Sequence, residues 1–182
     1  RRAPHGGVAA VHGGRGVVVS ALLQLPERSL APLREGQLDE VMAIEQAAYD
    51  FPWTRGNFLD SLRAGYAMQG LATPRAGLVG YFVAMQGVDE LHLLNLSVAP
   101  AEQHQGHGRH MLDALRVLAR EHRASQLWLE VRLSNERARA LYERYGFRSI
   151  GLRRGYYPAR GRQREDAVVM SLQIAEVVHG LG

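Results

Sequence analysis

A glycine-containing turn is the part of the sequence whose residue types and spacing first suggest chemistry. Residues 103–109, Gln-His-Gln-Gly-His-Gly-Arg, follow the apolar run 91–98 and precede a helical pattern of apolar residues at 111, 112, 115, 118 and 119. A strand, a glycine turn and a helix in this order aim unpaired backbone N–H groups at one point, with the positive end of the helix dipole behind them. Such a turn binds a phosphate group, although a flexible loop without a ligand is the commoner explanation of two glycines alone.

The residues around the turn restrict the kind of phosphate ligand. The turn lacks the Lys-Ser/Thr pair of a nucleotide-triphosphate loop. No acidic residue follows the next strand at the spacing of a dinucleotide-binding βαβ unit. A pyrophosphate group bound without a catalytic metal is the ligand that remains.

A carboxylate lies near the carboxyl end of a second apolar run. The alternation in residues 126–132 places three aliphatic side chains on one strand face and Trp128, Glu130 and Arg132 on the other. An unpaired carboxylate is costly to bury. Glu130 is therefore either an ion-pair partner of Arg132 or another arginine, or a general base where strand ends meet a ligand.

An amide and a phenol follow this strand on one helix-like segment. Asn135 and Tyr142 are seven residues apart, about two helical turns or roughly 10 Å, and point in nearly the same direction. Asn135 also stands where a helix cap is expected, and Tyr142 belongs to the apolar stripe of the helix. Together the elements bring a phosphate turn, a carboxylate, an amide and a phenol along adjoining segments.

Alternating strands and helices must position these groups. Hydrophobic periodicity predicts strands over 29–34, 66–72, 78–86, 89–98, 126–132, 149–154 and 167–174. It predicts helices over 37–49, 54–62 and 135–145 in addition to the one after the glycine turn. The order β-α-α-β-β-β-α-β-α-β-β indicates an α/β domain with one mixed, mostly antiparallel sheet and helices on both faces. A Gly- and Arg-rich loop is expected between the last two strands.

The first predicted helix and the segment after it contain three residues of uncertain role. Glu45 falls on the apolar stripe of the helix, and we interpret it as an edge residue whose charged end reaches solvent; a wall of a substrate cleft is the alternative. Pro52 ends the helix, and Thr54 is expected to cap the next one. Phe51 and Trp53 line a groove or pack in the core.

Composition excludes some classes of function and leaves others open. A chain of 182 residues with 46% hydrophobic residues suits one domain with a core. The absence of cysteine excludes disulfides, a zinc-thiolate site and a cysteine nucleophile, and fits a reducing compartment. A net charge of +4 is compatible with nucleic acid, an anionic cofactor or a ribosomal setting. No apolar run approaches the ~20 residues of a membrane span.

The first residues of the chain differ in composition from the rest. Residues 1–28 are rich in glycine, arginine, histidine and valine, and we expect a poorly ordered extension. The apolar run 17–23 resembles part of a signal peptide but lacks an A-x-A-like cleavage site. We expect residues 29–176 to form the domain and residues 177–182 to form a tail.

The order of elements and the turn Gln103-x-x-Gly106-x-Gly108 resemble the GNAT family of acetyl-CoA-dependent N-acetyltransferases. Within that family the chain resembles bacterial enzymes that acetylate the N-terminal alanine of a ribosomal protein. The resemblance covers about residues 33–174. Its more specific segments are Ile-Glu-Gln at 44–46, Phe-Pro-Trp at 51–53, Leu-Trp-Leu-Glu-Val-Arg at 127–132, Ser-Asn at 134–135, Leu-Tyr-Glu at 141–143, Arg-Arg-Gly-Tyr-Tyr-Pro at 153–158 and Arg-Glu-Asp-Ala at 164–167.

The resemblance implies a GNAT fold, acetyl-CoA as co-substrate and no metal. It implies that the strand ending at Val98 carries a bulge whose backbone contacts the acetyl-pantetheine arm. Glu130 would accept a proton and Tyr142 would donate one. The implied cofactor-binding residues are Leu96, Ser97, Val98, His104, Gln105, Gly106, His107, Gly108, Arg109 and Asn135. His104 and His107 replace residues that are often basic and aliphatic in the family, but we expect binding to survive because backbone N–H groups make the contacts.

The implied reaction is direct acetylation of the α-amine of a protein, specifically the N-terminal alanine of a small-subunit ribosomal protein, in the cytoplasm. A groove of Phe51, Trp53, Tyr156 and Tyr157 would suit an extended N-terminal peptide. Direct partners would be that peptide and coenzyme A, with neither nucleic acid nor a membrane.

Other functions compete with this interpretation. Other protein N-termini, lysines or a small cationic amine are possible acceptors, although a cationic amine calls for an acidic cleft, which the aromatic and arginine-rich segments disfavour. A regulatory module that only binds acyl-CoA would need neither Glu130 nor Tyr142. A nucleic-acid-binding domain is supported by the basic charge alone.

Overall fold

The computed structural model describes residues 28–175, which form one seven-stranded sheet and four α-helices. The strands are β1 Ser29–Pro32, β2 Ala67–Thr73, β3 Gly77–Gln86, β4 Glu90–Val98, β5 Gln126–Arg132, β6 Arg148–Pro158 and β7 Arg164–Gln173. The helices are α1 Leu38–Ala48, α2 Arg55–Arg63, α3 His107–Glu121 and α4 Glu136–Tyr145. The predicted N-terminal extension, except for its last residue, and the predicted C-terminal tail lie outside this part of the chain.

The sheet has the strand order β1-β2-β3-β4-β5-β7-β6. Only β4 and β5 pair in parallel; every other neighbouring pair is antiparallel. The predicted order of elements and the mixed, mostly antiparallel sheet are therefore confirmed. None of the helices that the structure describes is long and apolar enough to cross a bilayer.

Each face of the sheet is covered by its own layer of helices. Along β3, Phe82 points into the cluster formed with α3 and α4, while Tyr81 and Val83 point into the cluster formed with α1 and α2. This alternation is the two-residue period of a strand that is buried on both faces. The two layers therefore leave the edges and ends of the strands for binding.

Local sequence signals set the helix ends. The Thr54 side chain accepts a hydrogen bond from the backbone N–H of Asn57 at 3.3 Å and caps α2. Gly146 ends α4 with φ of 115°, a conformation that favours glycine. Both predicted boundaries are confirmed.

The centre of the sheet separates into two branches. β4 pairs with β5 only over Glu90–Leu93, opposite Gln126–Leu129; beyond that point β4 stays with β3 and β5 stays with β7. The predicted bulge is present in β4, because Val83 pairs with Asn95 and Ala84 with Leu93, which leaves Leu94 as the extra residue. The bulge bends β4 away from β5 and opens a wedge in the sheet.

The last hairpin is longer than predicted. In place of strands over 149–154 and 167–174, β6 and β7 extend towards each other and leave a loop of 159–163. A register shift inside the hairpin accommodates Gly155, whose φ is +56° and whose N–H donates to Asp166 Oδ1 at 2.7 Å. The glycine and arginine residues predicted a loop here. Instead, Gly155 lies in a bulge, and β6 continues beyond it.

Candidate functional site

Two clefts open where β4 and β5 separate. The turn cleft, of about 580 Å³, lies between residues 103–109 and α4. The aromatic cleft, of about 520 Å³, lies between the α1–α2 loop and the end of β5. The two clefts share the lining residues Tyr49, Leu96, Asn135, Ala138 and Tyr142. A ligand in one cleft can therefore meet a ligand in the other at this junction.

The geometry of the turn explains its glycines. Gly106 precedes the first residue of α3 with φ of 80°, which an L side chain rarely adopts. A Cβ on Gly108 would lie 3.0 Å from Leu141 Cδ2, so α3 and α4 approach closely here. The N-terminus of the 15-residue helix α3 thus faces the cleft with its unpaired N–H groups.

The turn cleft suits an anion. Its lining includes Arg109, Arg137 and Arg144 and no carboxylate. His107 is 2% exposed, and within residues 28–175 neither of its ring nitrogens has a hydrogen-bond partner. Burial, with help from the charge of Arg28, lowers the pKa of His107 and favours the neutral ring. The three arginines therefore give the turn cleft a positively charged lining.

Most of the residues predicted to bind the cofactor line the turn cleft. Those present are Leu96, Ser97, Val98, His104, Gly106, His107, Gly108, Arg109 and Asn135. The side chain of Gln105 instead donates to Glu102 at 3.1 Å, and its carbonyl accepts from Arg28.

Gln103, the first residue of the motif, supports the turn rather than a ligand. Its Nε2 donates to the carbonyl of Val98 at 2.9 Å, and its Oε1 accepts from Arg137. This residue ties the end of β4 to α4 and holds the mouth of the cleft. Nothing in the spacing of Gln103 and Arg137 could have indicated this pair.

Glu130 is buried at the side of the aromatic cleft, with its side chain 4% exposed. Its Oε1 lies 2.8 Å from Arg153 Nη1, and its Oε2 lies 2.6 Å from His92 Nε2. Arg132 pairs instead with Glu165 at 3.2 Å. The interpretation of Glu130 as an ion-pair partner is thus confirmed, and the partner is Arg153 of β6. Glu130 also lines the aromatic cleft, as a residue that transfers a proton to or from a ligand there must.

Tyr142 and Asn135 lie at the junction of the clefts. Burial raises the pKa of Tyr142 well above its ordinary value, and the neighbouring phenols Tyr49 and Tyr157 raise it further. The Tyr142 side chain is therefore a neutral phenol at physiological pH. Asn135 Oδ1 accepts from the N–H of Ala138 at 3.1 Å, which confirms its role as helix cap.

Three of the four predicted groove aromatics line the aromatic cleft: Phe51, Trp53 and Tyr157. Tyr156 lies outside the lining and packs edge-on against Tyr157, with ring centroids 4.9 Å apart. The Arg132 guanidinium lies 5.3 Å from the Phe51 ring centroid and 4.5 Å from that of Tyr157. It joins the two sides of the groove by cation–π contact.

The interpretation of Glu45 as a solvent-reaching edge residue is wrong. Glu45 is 1% exposed, accepts the backbone N–H of Trp53 at 2.7 Å and accepts the Tyr81 hydroxyl. Asn95 and Ser97 also place donors 3.4 Å from its oxygens. Glu45 lines the aromatic cleft, in agreement with the alternative interpretation as a wall of a cleft. Because its donors come from three distant segments, the helical stripe alone could not reveal that Glu45 also anchors the α1–α2 loop.

Comparison with known proteins gives consistent matches. Residues 38–147 match the sequence profile described as Acetyltransferase (GNAT) family. The [Ribosomal protein bS18]-alanine N-acetyltransferase of Haemophilus ducreyi is 37% identical over 140 residues, which cover 77% of this chain and 96% of that protein. The protein of the same name from Escherichia coli K12 is 36% identical over 147 residues, covering 81% and 98%.

A solved structure matches in the same way. The crystal structure of the ribosomal-protein-S18-alanine N-acetyltransferase from Escherichia coli has a TM-score of 0.75 at 35% identity. The match covers 86% of this chain and 99% of that one. The fold is therefore shared over nearly the whole length of that relative.

Proposed function

Because the chain belongs to the GNAT family of acetyltransferases, we propose that it acetylates the α-amine of the N-terminal alanine of ribosomal protein bS18, in the cytoplasm. The family and the class of enzyme that the sequence predicted are confirmed. The relatives that carry this substrate in their names match over nearly their full length. The observation that carries the proposal is the junction at Tyr142 of the arginine-lined turn cleft and the aromatic cleft.

Acetyl-CoA supplies an acetyl group activated as a thioester. The turn 104–109 would hold its pyrophosphate by backbone N–H groups at the N-terminus of α3. Beyond Leu93, β4 no longer pairs with β5, so the backbone groups of residues 96–98 that side chains leave free would contact the amide-bearing arm. This arrangement directs the thioester towards the junction of the clefts.

Glu130 would remove the proton that blocks the acceptor. A free α-amine has a pKa of about 7.7–8.0 and is largely protonated near neutral pH. Glu130 lines the aromatic cleft and would take this proton directly or through one water. The amine nitrogen is then free to attack the thioester carbonyl.

Tyr142 would donate a proton to the leaving thiolate. As the new N–C bond forms, the C–S bond breaks, and the departing thiolate takes the proton of the Tyr142 hydroxyl. Burial keeps that hydroxyl protonated by raising its pKa, so the donor is in the required state before the reaction starts. Formation of the amide also releases a second proton from the amine nitrogen, and this proton would restore the Tyr142 hydroxyl. Protons and charges then balance, because Glu130 has gained the first proton of the ammonium group.

The acceptor is tested by mass spectrometry of a peptide that begins with alanine and contains one internal lysine. We expect one acetyl group on the α-amine after incubation with acetyl-CoA. The control is the same peptide with a chemically blocked N-terminus, which should stay unmodified. Acetylation of the lysine in the blocked peptide would overturn the assignment of the acceptor.

A further inference from the structure

A buried histidine lies directly behind the proposed base. His92 of β4 is the register partner of Trp128 of β5. The two rings stack with centroids 3.5 Å apart and planes inclined by 13°. His92 is 7% exposed, and its Nε2 lies 2.6 Å from Glu130 Oε2. His92 is absent from the lining of both clefts.

The surroundings of the ring fix its tautomer. His92 Nδ1 is buried and has no hydrogen-bond partner within the described chain. A proton on Nδ1 would leave a buried donor unsatisfied and would point the Nε2 lone pair at a carboxylate oxygen. A proton on Nε2 can be donated to Glu130. The atom left without a partner is then the unprotonated Nδ1, an acceptor, which costs less free energy to bury than an unpaired N–H donor. The geometry therefore requires the Nε2–H form.

The two partners of Glu130 hold it differently. Arg153 contacts Oε1 from a side chain that is 47% exposed, without the alignment of a hydrogen bond. His92 contacts Oε2 from a ring that the indole of Trp128 holds in place. A carboxylate has about four lone-pair sites, so two remain for the amine proton while His92 prevents rotation of the group.

We propose that His92 is a positioning residue for acetyl transfer, whose Nε2–H fixes the Glu130 carboxylate in the orientation that accepts the amine proton. The inference rests on the proposed role of Glu130 as base. Without this donor, Glu130 is free to turn both oxygens towards Arg153 in a two-point ion pair. The carboxylate is then held away from the acceptor while both clefts keep their shape.

Two substitutions test the donor. His92→Phe keeps a flat ring against Trp128 and removes the N–H, whereas His92→Gln places an amide N–H close to the position of Nε2. We expect His92→Phe to lower kcat about tenfold, the value of one hydrogen bond to a charged group, with the KM of both substrates unchanged. We expect His92→Gln to recover most of the lost rate.

Two controls separate positioning from damage to the sheet. Ser171→Ala removes another buried polar group, 8% exposed and opposite Trp128 on β7, and should leave kcat unchanged. In a Glu130→Gln background, His92→Phe should cause no further loss of rate. An equal tenfold loss in that background, or a rise in KM with kcat unchanged, would overturn the role of His92.

The tautomer gives a test that does not depend on activity. In a long-range proton–nitrogen NMR spectrum of the protein labelled at histidine nitrogens, the signal lost in His92→Phe should show a protonated Nε2. A proton on Nδ1 alone would refute the inference. If Glu130→Gln keeps full turnover, the proposed base fails; if Glu130→Gln is impaired and His92→Phe is fully active, only the inference about His92 fails.

Discussion

Both groups that we assign to proton transfer are buried, but only one of them has charged or polar partners that stabilise a charge. Glu130 is buried as a charged group, and its contacts with Arg153 and His92 offset the cost of removing that charge from water. Tyr142 is buried as a neutral group, and burial raises its pKa. The site therefore combines a carboxyl group held by an arginine and a histidine with a phenol that keeps its proton.

The assignment of Glu130 predicts a large effect on the rate constant. Glu130→Gln keeps the size and polarity of the side chain but cannot accept the proton of the ammonium group. We expect kcat to fall about a hundredfold at neutral pH, the lower range of general-base effects. The Kd of acetyl-CoA, measured by calorimetry, should stay the same because Glu130 lies outside the turn cleft.

A second glutamate provides the control for this substitution. Glu143 is exposed on α4, one residue after Tyr142, and Glu143→Gln should retain the full rate. Full turnover by Glu130→Gln in steady-state assays would remove Glu130 from the mechanism.

At the scale of elements, the turn between β4 and α3 combines a conformational and an electrostatic requirement. Gly106 takes a positive φ so that the chain can reverse and start α3 with its N–H groups facing the cleft. Arg109, Arg137 and Arg144 add cationic side chains around it. The backbone sets the position of an anion, and the side chains raise its local concentration.

Gly106→Ala is therefore expected to weaken cofactor binding. A left-handed conformation costs a non-glycine residue roughly 1–2 kcal/mol, and the turn would relax and displace its N–H groups. We expect the Kd of acetyl-CoA to rise about tenfold, which corresponds to 1.4 kcal/mol.

Gly36→Ala is the matched control, because Gly36 has open space around the position of its Cβ and no positive φ. It should bind acetyl-CoA like the wild type. Equal affinity in the two variants, measured by calorimetry, would show that the turn does not hold the cofactor.

At the scale of the whole molecule, the order of elements was predictable because helices and strands bury their apolar residues with different periods, and a strand does so on one or both faces. Phe82 and Val83 of β3 illustrate this, since each packs with a different helix layer. The partners of polar groups were not predictable. Glu45 meets Tyr81, and Glu130 meets His92, across separations of 36 and 38 residues, and a single sequence has no periodicity that links such positions.

The stability of the fold at low pH depends on the carboxylate of Glu165, which joins Arg132 of β5 to the last hairpin. Burial alone would raise the pKa of Glu165, but the donors of Ser134 and Arg132 outweigh it and lower the pKa. A lowered folded-state pKa means that this stabilisation is fully present above the unfolded-state value of about 4.3 and is lost progressively as the pH falls from there through the folded-state pKa.

Glu165→Gln should therefore destabilise the protein at pH 7 by about 1 kcal/mol, given its partial exposure. In urea unfolding, the difference from the wild type should shrink at pH 3.5. Glu40→Gln, at an exposed site on α1, should show neither effect. A difference that stays constant between the two pH values would contradict the charged role of Glu165.

The early separation of β4 and β5 gives this sheet two edges in its interior. An edge strand carries free N–H and C=O groups that recruit strands from other chains. Here side chains occupy some of these acceptors: Tyr49 donates to Leu96 O at 3.1 Å, Gln103 to Val98 O at 2.9 Å and Tyr157 to Glu130 O at 3.0 Å. These contacts would reduce the number of free acceptors with which a strand from another chain could pair. The side chains that line the wedge would therefore also help to protect the sheet against edge-to-edge aggregation.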